Sequence, residues 1–262
     1  MELLDQDKNP LLGKLHVLFR ALLVVGAAVP NTTLFPVVVT ALFTKRFKRE
    51  PFVKRLHIMV TWAKVCVKYI LKIDLQVHGK ELIRKDTKGY MYVSNHQSYV
   101  DIMVLADALD TVSFLSKKLV RRIPVIGTGA YIGGTIYLER NDEESRDKAM
   151  QETLRMCEES TAVVVFPEGT RSEDGELRPK IHPKTMIEAY KRGIKIFPVG
   201  IHGTMNVVPK AMDRVHLHQK VSVHIAPAYD PADFDSAEAY VKAVWDKVAE
   251  LHAQSKADVD EA

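Results

Sequence analysis

The stretch SNHQSYVD, residues 94–101, places His96 and Asp101 with four residues between them, directly after the apolar run 90–93. An imidazole titrates near pH 6.5, so at neutral pH it is largely uncharged and can accept a proton. A carboxylate on its second ring nitrogen fixes the tautomer and stabilises the imidazolium that forms. Five residues of regular helix rotate by about 500°, which leaves the two side chains roughly 140° apart. The pair can therefore meet only if His96 precedes a helix and Asp101 lies in its first turn, with Ser98 as the N-cap. Ser98-x-x-Asp101 also fits a capping box, in which the carboxylate reaches back to a backbone N–H. The two roles are compatible, and His96 alone also reads as an ordinary loop histidine. Ser94 and Ser98 flank the pair, but neither sits in a G-x-S-x-G elbow, so the simplest scheme activates a hydroxyl carried by the substrate.

A second constellation is FPEGTRS, residues 166–172. Pro167 ends the strand that precedes it, and Gly169 permits a tight turn. Arg171 can present a bidentate fork to phosphate oxygens, and Glu168 can accept hydrogen bonds from hydroxyls. The plainer reading is an internal Glu168–Arg171 ion pair that braces the loop. Lys117 and Arg140 follow two further apolar runs and otherwise read as surface cations.

The elements that must carry these residues alternate. Strand-like runs fall at 74–78, 90–94, 112–115, 135–138, 162–166, 195–201 and 221–226, and helical patterns at 99–109, 143–159, 183–192 and 237–253. This predicts an α/β fold, a mixed, largely parallel sheet of about seven strands flanked by helices. In such sheets ligands gather outside the carboxyl ends of the strands. Four successive strand ends deliver His96, then Lys117, then Arg140, then Glu168 with Gly169, Thr170 and Arg171. Three cations at neighbouring ends suit a phosphate dianion.

The front of the chain differs. Residues 21–44 carry no charge, a run of 24, but Pro30-Asn31-Thr32-Thr33 and Pro36 interrupt it. Two short apolar helices at a polar turn predict a membrane-associated hairpin that dips into one leaflet. Lys45, Arg46, Lys48, Arg49, Lys54 and Arg55 follow, against the single acid Glu50. Such clusters attract anionic headgroups by about 1 kcal/mol per basic side chain and favour the cytoplasmic side. Residues 56–72 read as an amphipathic bridging helix. The expected organisation is a hairpin with its basic segment over 1–55, an α/β domain over 56–255 and a disordered tail over 256–262.

With 262 residues, 47% of them hydrophobic, the chain can bury a sizeable core, and a net charge of +4 does not argue for nucleic acid. Cys66 and Cys157 are far apart and outside any CxxC, so both read as buried hydrophobes. His216, His218 and His224 have strand spacing but no acidic or cysteine ligands beside them, so no metal site is expected. His182 and His202 read as surface residues. No P-loop and no GxGxxG occurs.

These blocks resemble the glycerolipid acyltransferase family. NHQSYVD matches its first block. GGTIYLER resembles the second, with Glu139 where the family commonly has Asp. FPEGTRS matches the third, and IFPVGI resembles the fourth. FLSKKLVRRIPVIG is similar to the stretch between the first two blocks and aligns Lys117. The likeness spans about 74–226. It implies transfer of an acyl chain from a thioester, acyl-CoA or acyl carrier protein, to the sn-2 hydroxyl of lysophosphatidic acid, with no cofactor. By that likeness His96 is the base, Asp101 its partner, and Glu168, Arg171, Arg140 and Lys117 hold the acceptor. The expected setting is the cytoplasmic face of the cell membrane. The alternatives are glycerol-3-phosphate or another lysophospholipid as acceptor, or a non-catalytic module that binds anionic lipid.

Overall fold

The computed structural model describes residues 52–83, 88–110, 112–117, 135–139, 142–211 and 213–261. The expected hairpin and most of its basic segment lie outside the described residues, as does Arg140. Among the described residues no helix is long and apolar enough to cross a membrane.

The chain enters through α1 (Phe52–Val65), whose last turns widen: Leu71 N–H reaches the Cys66 carbonyl, five residues back, at 2.8 Å. Seven strands follow: β1 (Asp74–His78), β2 (Tyr90–Ser94), β3 (Val112–Lys117), β4 (Ile136–Leu138), β5 (Ala162–Val165), β6 (Lys195–His202) and β7 (Lys220–Ile225). They form one sheet in the order β1-β7-β6-β2-β5-β3-β4. Every pairing is parallel except β6 with β7. The mixed, largely parallel sheet expected from the sequence is thus present.

Side chains alternate between two cores, as the two-residue strand period requires. On one face Tyr90, Tyr92, Val164, Phe197, Val199 and Ile201 pack with α1 and with α2 (Asp101–Leu109). On the other, Met91, Val93, Val163, Val165 and Ile196 meet α3 (Glu143–Glu159), α4 (Lys184–Lys191) and α6 (Ala237–Asp260). Both faces are covered, so the central strands β2 and β5 are buried at every position and read as unbroken apolar runs. A short helix, α5 (Thr204–Val207), follows β6.

Two residues show how backbone chemistry shapes the centre. A Cβ at Gly200 would lie 2.3 Å from the Leu251 carbonyl carbon, so α6 can rest on β6 only because that position is glycine. Pro198 lies just outside the β6–β7 ladder, which begins at Val199. Its carbonyl accepts from Ala226 N–H at 3.1 Å, so its missing N–H faces the gap next to the Ile196–Tyr229 bridge. Cys66 and Cys157 are buried and unpaired, and burial pushes both thiols up to about 12.

The tail departs from expectation. α6 runs on to Asp260, beyond residue 256, where the sequence predicts disorder. Side chains late in the helix tie it down: Ser255 Oγ donates to the Gly200 carbonyl at 3.2 Å, and Lys256 pairs with Glu176.

Candidate active site

Asn95 extends the ladder by one residue with its side chain. Its amide donates to the Ile201 carbonyl and accepts from Ile201 N–H, both at 2.9 Å, so it copies a backbone pair to β6. The chain then turns outward, and His96 is fixed on four sides. Its N–H donates to Glu168 Oε1 at 2.7 Å, and its carbonyl accepts from Ser172 N–H at 2.8 Å. Its ring stacks on Phe166, with centroids 4.2 Å apart and planes 18° apart. Its Nδ1 lies 2.7 Å from Asp101 Oδ2. Among the described residues nothing takes the second ring nitrogen, and 13% of the side chain stays exposed.

Asp101 opens α2 and is wholly buried. Gln97 N–H at 2.7 Å and Ser98 N–H at 3.0 Å both donate to its Oδ2, which His96 also faces. Thr204 Oγ1, at the start of α5, donates to its Oδ1. The four donors offset the large cost of burying a carboxylate. Capping and ring orientation are therefore performed by the same group: it satisfies the backbone N–H groups ahead of α2 and holds the imidazole. The tautomer that donates from Nδ1 to this carboxylate leaves the lone pair of the neutral ring on Nε2. Ser98 does not cap α2 as expected. Its hydroxyl donates to the Val208 carbonyl at 2.6 Å and accepts from Val100 N–H at 3.2 Å.

The loop after β5 supports His96 from the side. Gly169, with φ at +65°, closes a turn through its N–H to the Phe166 carbonyl at 3.0 Å. Only glycine takes that conformation cheaply. Glu168 turns inward at this loop. Its carboxylate is buried and accepts from the backbone N–H groups of His96 and Arg178, at 2.7 and 3.1 Å. It braces two loops, and burial pushes its carboxyl above the usual range. Nor does it pair with Arg171. That guanidinium lies 3.7 Å over the Tyr99 ring and donates to the Lys210 carbonyl at 3.1 Å. Gly169, Thr170 and Arg171 stay partly exposed. Lys117 ends β3, beside β5 in the sheet, which places its backbone at the expected strand end.

Behind the loop lies a polar cluster that sequence reasoning missed. Gln97 Nε2 donates to the Gly175 carbonyl at 2.5 Å and contacts His202 Nδ1 at 3.0 Å. His252 Nε2, from α6, lies 3.1 Å from the same carbonyl and 3.3 Å from His202 Nδ1. Burial lowers both imidazoles below their ordinary value. His202 is thus a partner of the loop that carries Gln97, not a surface residue. The strand end was the one signal for His202, the last residue of β6, and for Thr204 just beyond it, though nothing in the sequence related either to the 96–101 loop. His252 had none.

A cavity of about 460 Å³ opens beyond Met205 and is lined by Asn206, Asp213, Arg214 and His216 among others. Its walls include neither His96 nor Arg171.

Residues 74–202 match the family model described as Acyltransferase. The chain is 33% identical over 164 residues to a chloroplastic 1-acyl-sn-glycerol-3-phosphate acyltransferase of Brassica napus, covering 63% of this chain and 47% of that one. It is 34% identical over 149 residues to a lyso-ornithine lipid O-acyltransferase of Pseudomonas aeruginosa, covering 57% of this chain and 54% of that one. The crystal structure of the 1-acyl-sn-glycerophosphate (LPA) acyltransferase of Thermotoga maritima superposes with a TM-score of 0.77 at 27% identity, over 96% of this chain and 98% of that one. The chain spans about half the length of the first plant and algal relatives it matches, 46% to 55% of each. Residues 74–202, which carry the four blocks in order, are thus similar in sequence to an acyltransferase domain, and the fold around them is similar to that of a solved acyltransferase.

Proposed function

We propose that the protein moves a fatty acyl chain from an acyl thioester to the sn-2 hydroxyl of a 1-acylglycerol-3-phosphate, giving phosphatidic acid. The observation that carries this is the imidazole of His96, held at 2.7 Å by a buried carboxylate with its other nitrogen open. Nε2 removes the proton from the acceptor hydroxyl as the oxygen attacks the thioester carbonyl. The thiolate leaves and takes up the proton. Asp101 holds the ring and stabilises the imidazolium, and a positioned base of this kind contributes roughly 10² to 10⁴ in rate. Arg171, which among the described residues gives one of its five N–H donors to Lys210, is the cation for the acceptor phosphate, and Lys117 and Arg140 complete that pocket. The donor is acyl-CoA or acyl carrier protein. The uncharged run 21–44 and the basic segment behind it seat the domain on an anionic membrane from the cytoplasmic side.

A second acceptor class is favoured by one observation: a relative named for a lyso-ornithine lipid reaches 34% identity over 149 residues, beside 33% over 164 for the Brassica napus relative. A panel of lysophosphatidic acid, glycerol-3-phosphate and lyso-ornithine lipid, assayed with one radiolabelled acyl thioester, separates them. The reading expects phosphatidic acid as the main product. Label moving faster to another acceptor replaces the substrate, and thiol release with none of them overturns the reading in favour of a lipid-binding module.

A further inference from the structure

At the β1 edge of the sheet, His78 on β1 and His224 on β7 stand opposite each other in register. They share the face of Ser222, while the alternate residues Leu75, Val77, Val221 and Val223 enter the core on the other side. Their rings stack, with centroids 4.2 Å apart and planes 19° apart. Into this pair α6 delivers Asp258. Its Oδ2 lies 3.2 Å from His78 Nε2 and 2.7 Å from His224 Nε2, and Ser222 Oγ donates to it at 2.7 Å. The three ligand atoms all fall within 4.8 Å of one another.

The geometry points to a binding site for a divalent transition-metal ion of the zinc class, made by His78, His224 and Asp258. Two imidazoles and one carboxylate suit that class, whereas magnesium and calcium take oxygen ligands. Metal–ligand bonds of about 2.0–2.2 Å in a tetrahedron separate the ligand atoms by roughly 3.3 Å. The His78–Asp258 separation of 3.2 Å already meets that spacing, while His224 must open from 2.7 Å by about 0.6 Å and the two stacked rings must splay so that both nitrogens face one point. His78 is half exposed, which gives the ion an entry and leaves a fourth position for water. Lys220 Nζ, 2.5 Å from the Asp258 carbonyl, places a positive charge nearby and tempers the affinity.

The sequence hid this site because its acid comes from a helix 34 residues after His224, and its second histidine from the far strand β1. An ion here would tie three separate elements together. It would also fix the end of the helix that carries His252 to the back of the catalytic loop.

The test uses the full chain stripped of metal with EDTA, with Zn²⁺ followed by thermal unfolding and Co²⁺ by its visible absorption. An ion that binds only the folded state raises Tm by several degrees once it exceeds its Kd about a hundredfold. The expected results are that rise and the absorption of tetrahedral Co²⁺. Affinity should fall at least tenfold in both His224→Gln and Asp258→Asn, and stay unchanged in His216→Gln. If either variant fails to fold, His78→Gln, at the exposed edge, gives the same readout. No metal-dependent shift in the wild-type chain makes the cluster a hydrogen-bonded clasp only and overturns the proposal. So does a shift that survives His78→Gln, His224→Gln and Asp258→Asn alike.

Discussion

Two histidine–aspartate contacts in this chain have the same length and opposite surroundings. His96 and Asp101 meet at 2.7 Å, as do His224 and Asp258. Asp101 is fully buried and satisfied by four donors, and it serves one ring that is clamped on Phe166. Asp258 is 29% exposed and shared between two rings on a sheet edge. A distance alone therefore says little. A base needs one immobile imidazole with a free nitrogen aimed outward, whereas a cation site needs several nitrogens converging on one point. The first arrangement is built from the ends of β2, β5 and β6. The second is built from strand faces and the end of a helix.

Among substitutions that leave the imidazole of His96 in place, Asp101→Asn carries the largest expected effect. It keeps the shape but removes the charge that stabilises the imidazolium, and kcat should fall by about 10² to 10⁴. Thiol release under saturating substrate measures it. An undiminished rate would mean that the buried carboxylate only caps α2. Arg171→Lys comes next. Lysine keeps the charge but loses the planar fork and the stack on Tyr99, so KM for a phosphorylated acceptor should rise about tenfold with kcat little changed. An equal fall in both parameters would place Arg171 in the chemistry instead. Thr204→Val removes one of the four donors to Asp101 and should lower kcat by about tenfold, or roughly 1.4 kcal/mol.

The smallest effect concerns His202 and His252. Burial lowers both, so between the folded value and about 6.5 the unfolded chain binds more protons than the folded one. Stability contributed by the neutral rings is thus full above that range and is lost as pH falls through it, by at most about 1.4 kcal/mol per pH unit for each group. Urea unfolding followed from pH 7 to 5 should show a shallower slope in His252→Gln than in the wild type. An unchanged slope would remove His252 from the account. Glu168, raised by burial, acts in the opposite sense just above the usual carboxylate range and should be ionised at the cost of stability there.

Much of this was legible in the sequence because it is local. The alternating apolar runs located all seven strands, and His96 and Asp101 lie close enough in the chain for helix geometry to relate them. Glu168 was legible as a residue but not in its backbone contacts. Sequence spacing cannot say that its carboxylate turns inward to the His96 and Arg178 N–H groups. Thr204 and His252 act on the 96–101 loop across gaps of 103 and 155 residues, so no local pattern could relate them. The tail was misjudged for a related reason. Its polar residues looked unanchored until Asp258 met two strands and Lys256 met Glu176.

The central claim is that the open nitrogen of His96 takes the proton from a lipid hydroxyl. Single-turnover thiol release from an acyl thioester, with lysophosphatidic acid present, tests it most directly when wild-type protein and His96→Ala are compared at equal folded fraction. Release is expected in the wild type and a rate lower by about 10³-fold or more in the variant, with binding to anionic vesicles retained. Release by His96→Ala at the wild-type rate would contradict it.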